Sequence, residues 1–85
     1  MIATAFLLAV LPTAALAGPS CTTEAEAKWM SEEAMKAKIA EAGYKAKTFE
    51  VTGDCYELYG WSKEGKRGEI HFNPVNGDVV KADEH

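Results

Sequence analysis

The chain is short of the features that most catalysts and nucleic-acid binders need. Its 85 residues contain no Gly-x-Ser-x-Gly setting for a nucleophilic serine and no glycine-rich phosphate loop. The two histidines, His71 and His85, lack the i, i+4 spacing and the carboxylate context of a helical zinc site. Basic residues are few and scattered, nine against thirteen acidic, and the net charge of -4 disfavours phosphate backbones and anionic lipid. No nucleic-acid partner is expected. The first 17 residues hold no Asp, Glu, Lys or Arg, yet 14 of them are apolar. All the charge lies beyond them, in a stretch long enough for one small domain and too short for a large multi-site enzyme.

That uncharged start has its own pattern. From Ala5 to Leu11 the chain reads AFLLAVL; Pro12 then breaks a helix, and Ala15, Leu16 and Ala17 give the small-x-small site that signal peptidase accepts before Gly18. Residues 1–17 are therefore expected to be a secretory signal peptide, 18–30 an N-terminal segment and 31–85 the folded domain. A basic n-region is missing, since only the amino terminus of Met1 is positive. An uncleaved anchor competes with this reading, but Thr4, Pro12 and Thr13 interrupt a segment already at the short limit of a bilayer span. A lipid anchor on Cys21 fails because Gly18 stands where an aliphatic residue is needed. The mature protein is expected to be periplasmic or secreted, without stable membrane insertion, as a monomer or weak homodimer.

Two cysteines remain after such cleavage, Cys21 and Cys55, and an even number in a small exported chain reads as one disulfide. Closing that loop is worth about 3 to 4 kcal/mol on the chain-entropy model, which a domain of this size needs. A redox-active thiol pair is the alternative. Such pairs usually sit close in sequence, as in Cys-x-x-Cys, with a helix N-terminus lowering one pKa, and neither feature is present.

Between the cysteines the pattern turns helical. Ser31 is placed to cap a helix running to about Ala42, with Glu32 and Glu33 in the first turn and Met30 and Met35 at the staple positions. Gly43 and Tyr44 suit a Schellman ending against Ile39. Met35, Ile39 and Ala42, with Ala34 beside them, predict one narrow apolar stripe. Beyond Gly43 the period changes to two, predicting strands at Lys45 to Val51, Cys55 to Trp61, Arg67 to Phe72 and Asp78 to Ala82. Gly53-Asp54, Lys63-Glu64-Gly65 and Pro74-Val75-Asn76-Gly77 separate them as hairpin turns. The expected fold is α+β: one N-terminal helix on a small antiparallel sheet of three to four strands, in two layers.

Turn lengths set the pairing. Val51 should oppose Tyr56, Phe49 oppose Leu58, Leu58 oppose Ile70 and Tyr56 oppose Phe72, on one apolar face for the helix to cover. Gly60 and Gly68 oppose each other on that face and leave a gap for a close approach. Val79 and Val80 leave the last register open. The other face receives Thr48, Cys55, Glu57, Tyr59, Trp61, Arg67, Glu69 and His71, with Trp61 beside Arg67 as a cation-π pair and Glu57 opposite His71. This face is either a recognition surface or is covered by residues 18–30, including Trp29, drawn across it by the disulfide. The low apolar content of residues 18–28 favours the recognition surface.

The capped Ser31-Glu32-Glu33-Ala34 start, Gly43-Tyr44, Cys55-Tyr56-Glu57-Leu58-Tyr59, Glu69-Ile70-His71-Phe72 and Asn73-Pro74-Val75-Asn76-Gly77-Asp78 together resemble a PepSY domain. The likeness covers about residues 29 to 82. The family more often has Asp-Pro-x-Thr-Gly-Glu at the last motif. The resemblance implies a helix-and-sheet module of the kind found in propeptides of thermolysin-type metallopeptidases and in YpeB, and a role in peptidase inhibition or chaperoning. These marks are caps and turns and imply no catalytic residue. The leading expectation is thus a small exported non-catalytic binding module without a cofactor or metal, whose partner is an envelope protein, with a peptidase as the candidate named by the resemblance. Its contact residues are expected to be Tyr59, Trp61, Arg67 and His71. Two other classes stay open: a metal or haem accessory protein using His71 with Glu57 and the terminal Asp83-Glu84-His85, and a thiol-redox protein.

Intact mass tests the N-terminal reading. Protein from the cell envelope should have the mass of residues 18–85 less two hydrogen atoms. A full-length mass, or two thiols that alkylate without reduction, overturns it.

Overall fold

The computed structural model describes residues 18–84, so the expected leader, its Ala15-Leu16-Ala17 site and His85 lie outside the described residues. A turn of 3-10 helix at Glu26–Lys28 leads into helix α1 (Glu32–Glu41), followed by strands β1 (Lys45–Thr52), β2 (Cys55–Trp61), β3 (Arg67–Phe72) and β4 (Val79–Glu84). The strands form one antiparallel meander in the order β1-β2-β3-β4, with α1 packed on one face. This is the expected α+β arrangement, with four strands. Among the described residues no helix is long and apolar enough to cross a membrane.

Both ends of α1 follow from the side chains there. Ser31 Oγ accepts the Ala34 amide at 3.1 Å, and Glu32 and Glu33 place negative charge against the N-terminal dipole. At the other end Gly43 takes φ +98°, so the Tyr44 amide reaches the Ile39 carbonyl and the Gly43 amide reaches that of Ala40, each at 3.0 Å. These are the paired bonds of a Schellman ending. Tyr44 is thereby turned onto Phe72, edge to face at 5.5 Å between centroids. The buried stripe is narrower than expected: Met35 and Ile39 are buried, whereas Ala34 and Ala42 are exposed. Their single methyls flank the line of contact and do not reach the sheet.

Each hairpin has the turn its glycine allows. Gly53, at φ +61°, is the first residue of a two-residue loop between Thr52 and Cys55. Gly65, at φ +81°, ends a three-residue loop closed by the Ser62 amide on the Lys66 carbonyl at 2.7 Å. The pairings Val51–Tyr56, Phe49–Leu58, Leu58–Ile70, Tyr56–Phe72 and Gly60–Gly68 are all present. The core consists of Met35, Ile39, Tyr56, Leu58, Ile70 and Phe72, flanked by Trp29, Met30, Tyr44 and Phe49. Val51, expected on the covered face, is 47% exposed, as is Val79 at the other end of the same row. Met35 and Ile39 cluster with buried residues of β2 and β3, whereas β1 and β4 bury little.

Two β-bulges shape the edges. In β1 the register shifts between Ala46 and Thr48, leaving Lys47 unopposed and placing Ala46 opposite Gly60. In β4 it shifts after Val79, so Lys81 opposes His71 and Ala82 opposes Ile70. Without that bulge Lys81 would face the core opposite Ile70; the strand runs from Val79 to Glu84 rather than from Asp78 to Ala82, its last residue pairing with Gly68. Both edges then bend over the central glycine pair. A Cβ on Gly60 would overlap the Lys45 carbonyl oxygen, and one on Gly68 would lie 2.6 Å from that of Asp83.

Met30 joins the helix entry to the rest of the fold. Its amide donates to the Pro74 carbonyl at 2.8 Å, and its carbonyl accepts the Tyr56 hydroxyl at 2.6 Å. Burial, and then the negative charges of Glu32 and Glu26, push the Tyr56 phenol above its ordinary pKa.

Leu58 is fully buried, with Phe49 and Ile70 on either side. Leu58→Ala should cost about 2 to 5 kcal/mol, a large share of the stability of so small a domain. Chemical denaturation measures this, and an unchanged midpoint would contradict the core described here.

Candidate functional site

The face of the sheet turned away from α1 is ordered in rows across the strands. One row reads Glu50, Glu57, His71, Lys81; the next reads Thr48, Tyr59, Glu69, Asp83; the last is Lys45, Trp61, Arg67. The N-terminal segment divides this face. Cys21 is bonded to Cys55, with Cα atoms 5.1 Å apart. Asp54, in the adjoining turn, accepts the Cys21 amide at 2.9 Å and the Ser20 hydroxyl at 3.1 Å. The Pro19 carbonyl oxygen rests 3.1 Å from Cys55 Sγ, which has no proton to donate once in the disulfide, so this is a packing contact. Gly18 lies beside His71, where a Cβ would stand 3.8 Å from Nε2.

His71 is therefore buried, with 6% of its surface exposed. Its Nε2 lies 2.7 Å from Glu57 Oε2, and its Nδ1 is buried without a partner. Among the four residues expected to form a contact surface, His71 is separated from the others by the segment lying over it. The pairing with Glu57 expected from the register is present and engages Nε2. Among the described residues, one group of three possible metal ligands comes within reach of a common point: Cys21, Asp54 and Cys55, where both sulfurs are held in the disulfide.

Trp29 does not cross this face. The chain turns at Glu26–Lys28 and carries Trp29 to the helix side, where it meets Tyr56 edge to face at 5.6 Å while its indole N–H donates to the Glu24 carbonyl at 3.2 Å. The covering expected from the disulfide is thus present over only part of the face. The Cys55–His71 end is covered, and the Tyr59–Trp61–Arg67 end is open.

At the open end Trp61 is 38% exposed and stands as a ridge between two hollows. The larger, about 500 Å³ and open to solvent, is lined by Gly43, Lys45, Trp61, Ser62, Lys63 and Gly65. The smaller, about 90 Å³, is lined by Lys47, Tyr59, Gly60, Trp61 and Arg67. Four basic residues thus line the two hollows that Trp61 separates, although the sequence shows no basic cluster. The bulge at Lys47 is responsible: uninterrupted two-residue-hairpin pairing would put Ala46 opposite Trp61, whereas the shifted register puts Lys45 there. Lys63 comes from the β2–β3 turn, and its Cα and Cβ sit against Gly43. Trp61 and Arg67 are opposed as expected, but the cation-π geometry found among the described residues is Lys36 over Phe49, at 5.6 Å.

Among known families, the model described as peptidase propeptide and YPEB domain aligns with residues 1–83. Neither the curated proteins nor the solved structures give a match.

The clasp can be tested directly. Cys21→Ser should lower stability by about 3 to 4 kcal/mol and raise solvent access at His71, read from hydrogen exchange of its strand and the ring signals in NMR. A variant as stable as the parent, with His71 still protected, would show that packing alone holds the segment.

Proposed function

The chain belongs to the PepSY family, the peptidase propeptide and YPEB domain, and on that footing we propose that it is a non-catalytic protein-binding module that acts by contact. Its partner in this reading is an envelope protein, and a peptidase that it inhibits or modulates is the partner nearest to the family's description. The Cys21–Cys55 disulfide fits an oxidising compartment, which accords with export to the periplasm or beyond.

One observation carries the choice of surface. On a face whose other end is closed by the N-terminal segment, Trp61 stays exposed beside Tyr59 and Arg67. Tryptophan, tyrosine and arginine are the residue types that most often dominate binding energy at protein interfaces. His71 has no place in this contact set because it is buried.

Trp61→Ala should separate binding from folding. A partly exposed ridge residue should cost only about 1 to 2 kcal/mol in chemical denaturation, against about 3 to 5 for a fully buried tryptophan. The same variant should fail to recover partners in a cross-linking pull-down from the envelope. A strongly destabilised variant, or a stable one that still retrieves every partner, would reject this surface.

A further inference from the structure

We infer that the end of the sheet around Trp61 receives an acidic polypeptide segment, an inference that rests on reading this end as the contact surface. Lys45 and Arg67 stand opposite Trp61 on either side of it. Lys63 and Lys47 complete the ring, one in each flanking hollow. No Asp or Glu lines either hollow. The chain has thirteen acidic residues for nine basic ones, so cations have ample choice of partner within it. Its side-chain ion pairs among the described residues nevertheless form elsewhere, between Lys28 and Glu24, His71 and Glu57, and Lys81 and Asp83.

Four like charges held around one aromatic ridge repel one another, and carboxylates from outside would relieve that repulsion while the indole excludes water. The shape selects a polypeptide. Hollows on both sides of a ridge admit projecting side chains, and the exposed indole offers apolar contact that a free anion would not use. A flat anionic membrane fits poorly, because the neighbouring row on the same face carries Glu69 opposite Asp83. Those two carboxylates also give the patch an acidic border that limits how an acidic segment can lie.

The test uses the protein in the form in which the expressing cell leaves it, with a labelled peptide rich in Asp and Glu followed by fluorescence anisotropy. A Lys-rich peptide of equal length and vesicles containing phosphatidylglycerol serve as comparison probes. The acidic peptide should bind, more weakly as salt rises, and the Lys-rich peptide should not. The double variant Lys45→Glu/Arg67→Glu should lose about tenfold or more in affinity. If circular dichroism shows it unfolded, Lys45→Gln/Arg67→Gln carries the test, with a smaller loss in the same direction. Absence of peptide binding, affinity unchanged in the folded charge variant, or binding to vesicles in preference to the peptide each overturns the inference. The pull-down separates the two claims. Charge variants that keep partners lost by Trp61→Ala leave the contact surface standing and reject acid recognition; a Trp61→Ala protein that keeps them all rejects the surface itself.

Discussion

The bond between Cys21 and Cys55, with Asp54 holding Ser20 and the Cys21 amide beside it, is the constraint that organises the described part of the molecule. Six side chains make up the buried cluster, and two of them come from the helix. A core of that size leaves little net stability, so a covalent link between the N-terminal segment and a central strand matters more here than in a larger domain. The link also has a direction. It draws residues 18–20 over Cys55 and His71, after which the chain turns and delivers Trp29 and Met30 to the opposite side of the sheet. One segment therefore contributes to both faces, covering one end of the outer face and extending the core on the inner one.

Much of this was legible in the residues because it depended on local rules. Ser31, Gly43, Gly53 and Gly65 each satisfy a cap or turn whose chemistry admits few residue types, and turn length carries the register two strands further. What could not be read was the position of the two bulges. At Lys47 and at Val80 a strict period of two would have turned a lysine toward the core, and the added residue turns it outward. A bulge answers to the packing of the whole face, so local pattern does not locate it. The basic ring around Trp61 went unseen for that reason: its members are single residues in sequence, brought together by one irregularity and one turn. Division of the outer face was hidden in the same way, because the course of residues 18–28 depends on a covalent bond and a single carboxylate.

The resulting outer face is graded along the strands. Its covered end holds a buried histidine paired with a glutamate, its middle row carries Glu69 and Asp83, and its open end carries cations around an indole. The helix axis follows the same polarity, with Glu32 and Glu33 at its start and Lys63 near its finish. A protein of net charge -4 thus presents one locally positive end, where contact with a partner would be directional.

The glycine pair at the centre of the sheet has a further consequence. Because Gly60 and Gly68 carry no Cβ, the backbone near Lys45 folds in from one edge and that near Asp83 and Glu84 folds in from the other. A small sheet with two open borders is ordinarily a template on which further strands, including those of its own copies, can line up. Here each border is kinked by a bulge and curled out of plane at one end, so a straight incoming strand finds hydrogen-bonding groups over only part of its length. The absence of two side chains thereby acts as protection against self-templated stacking, a safeguard that matters most for a domain too small to hide its edges in any other way.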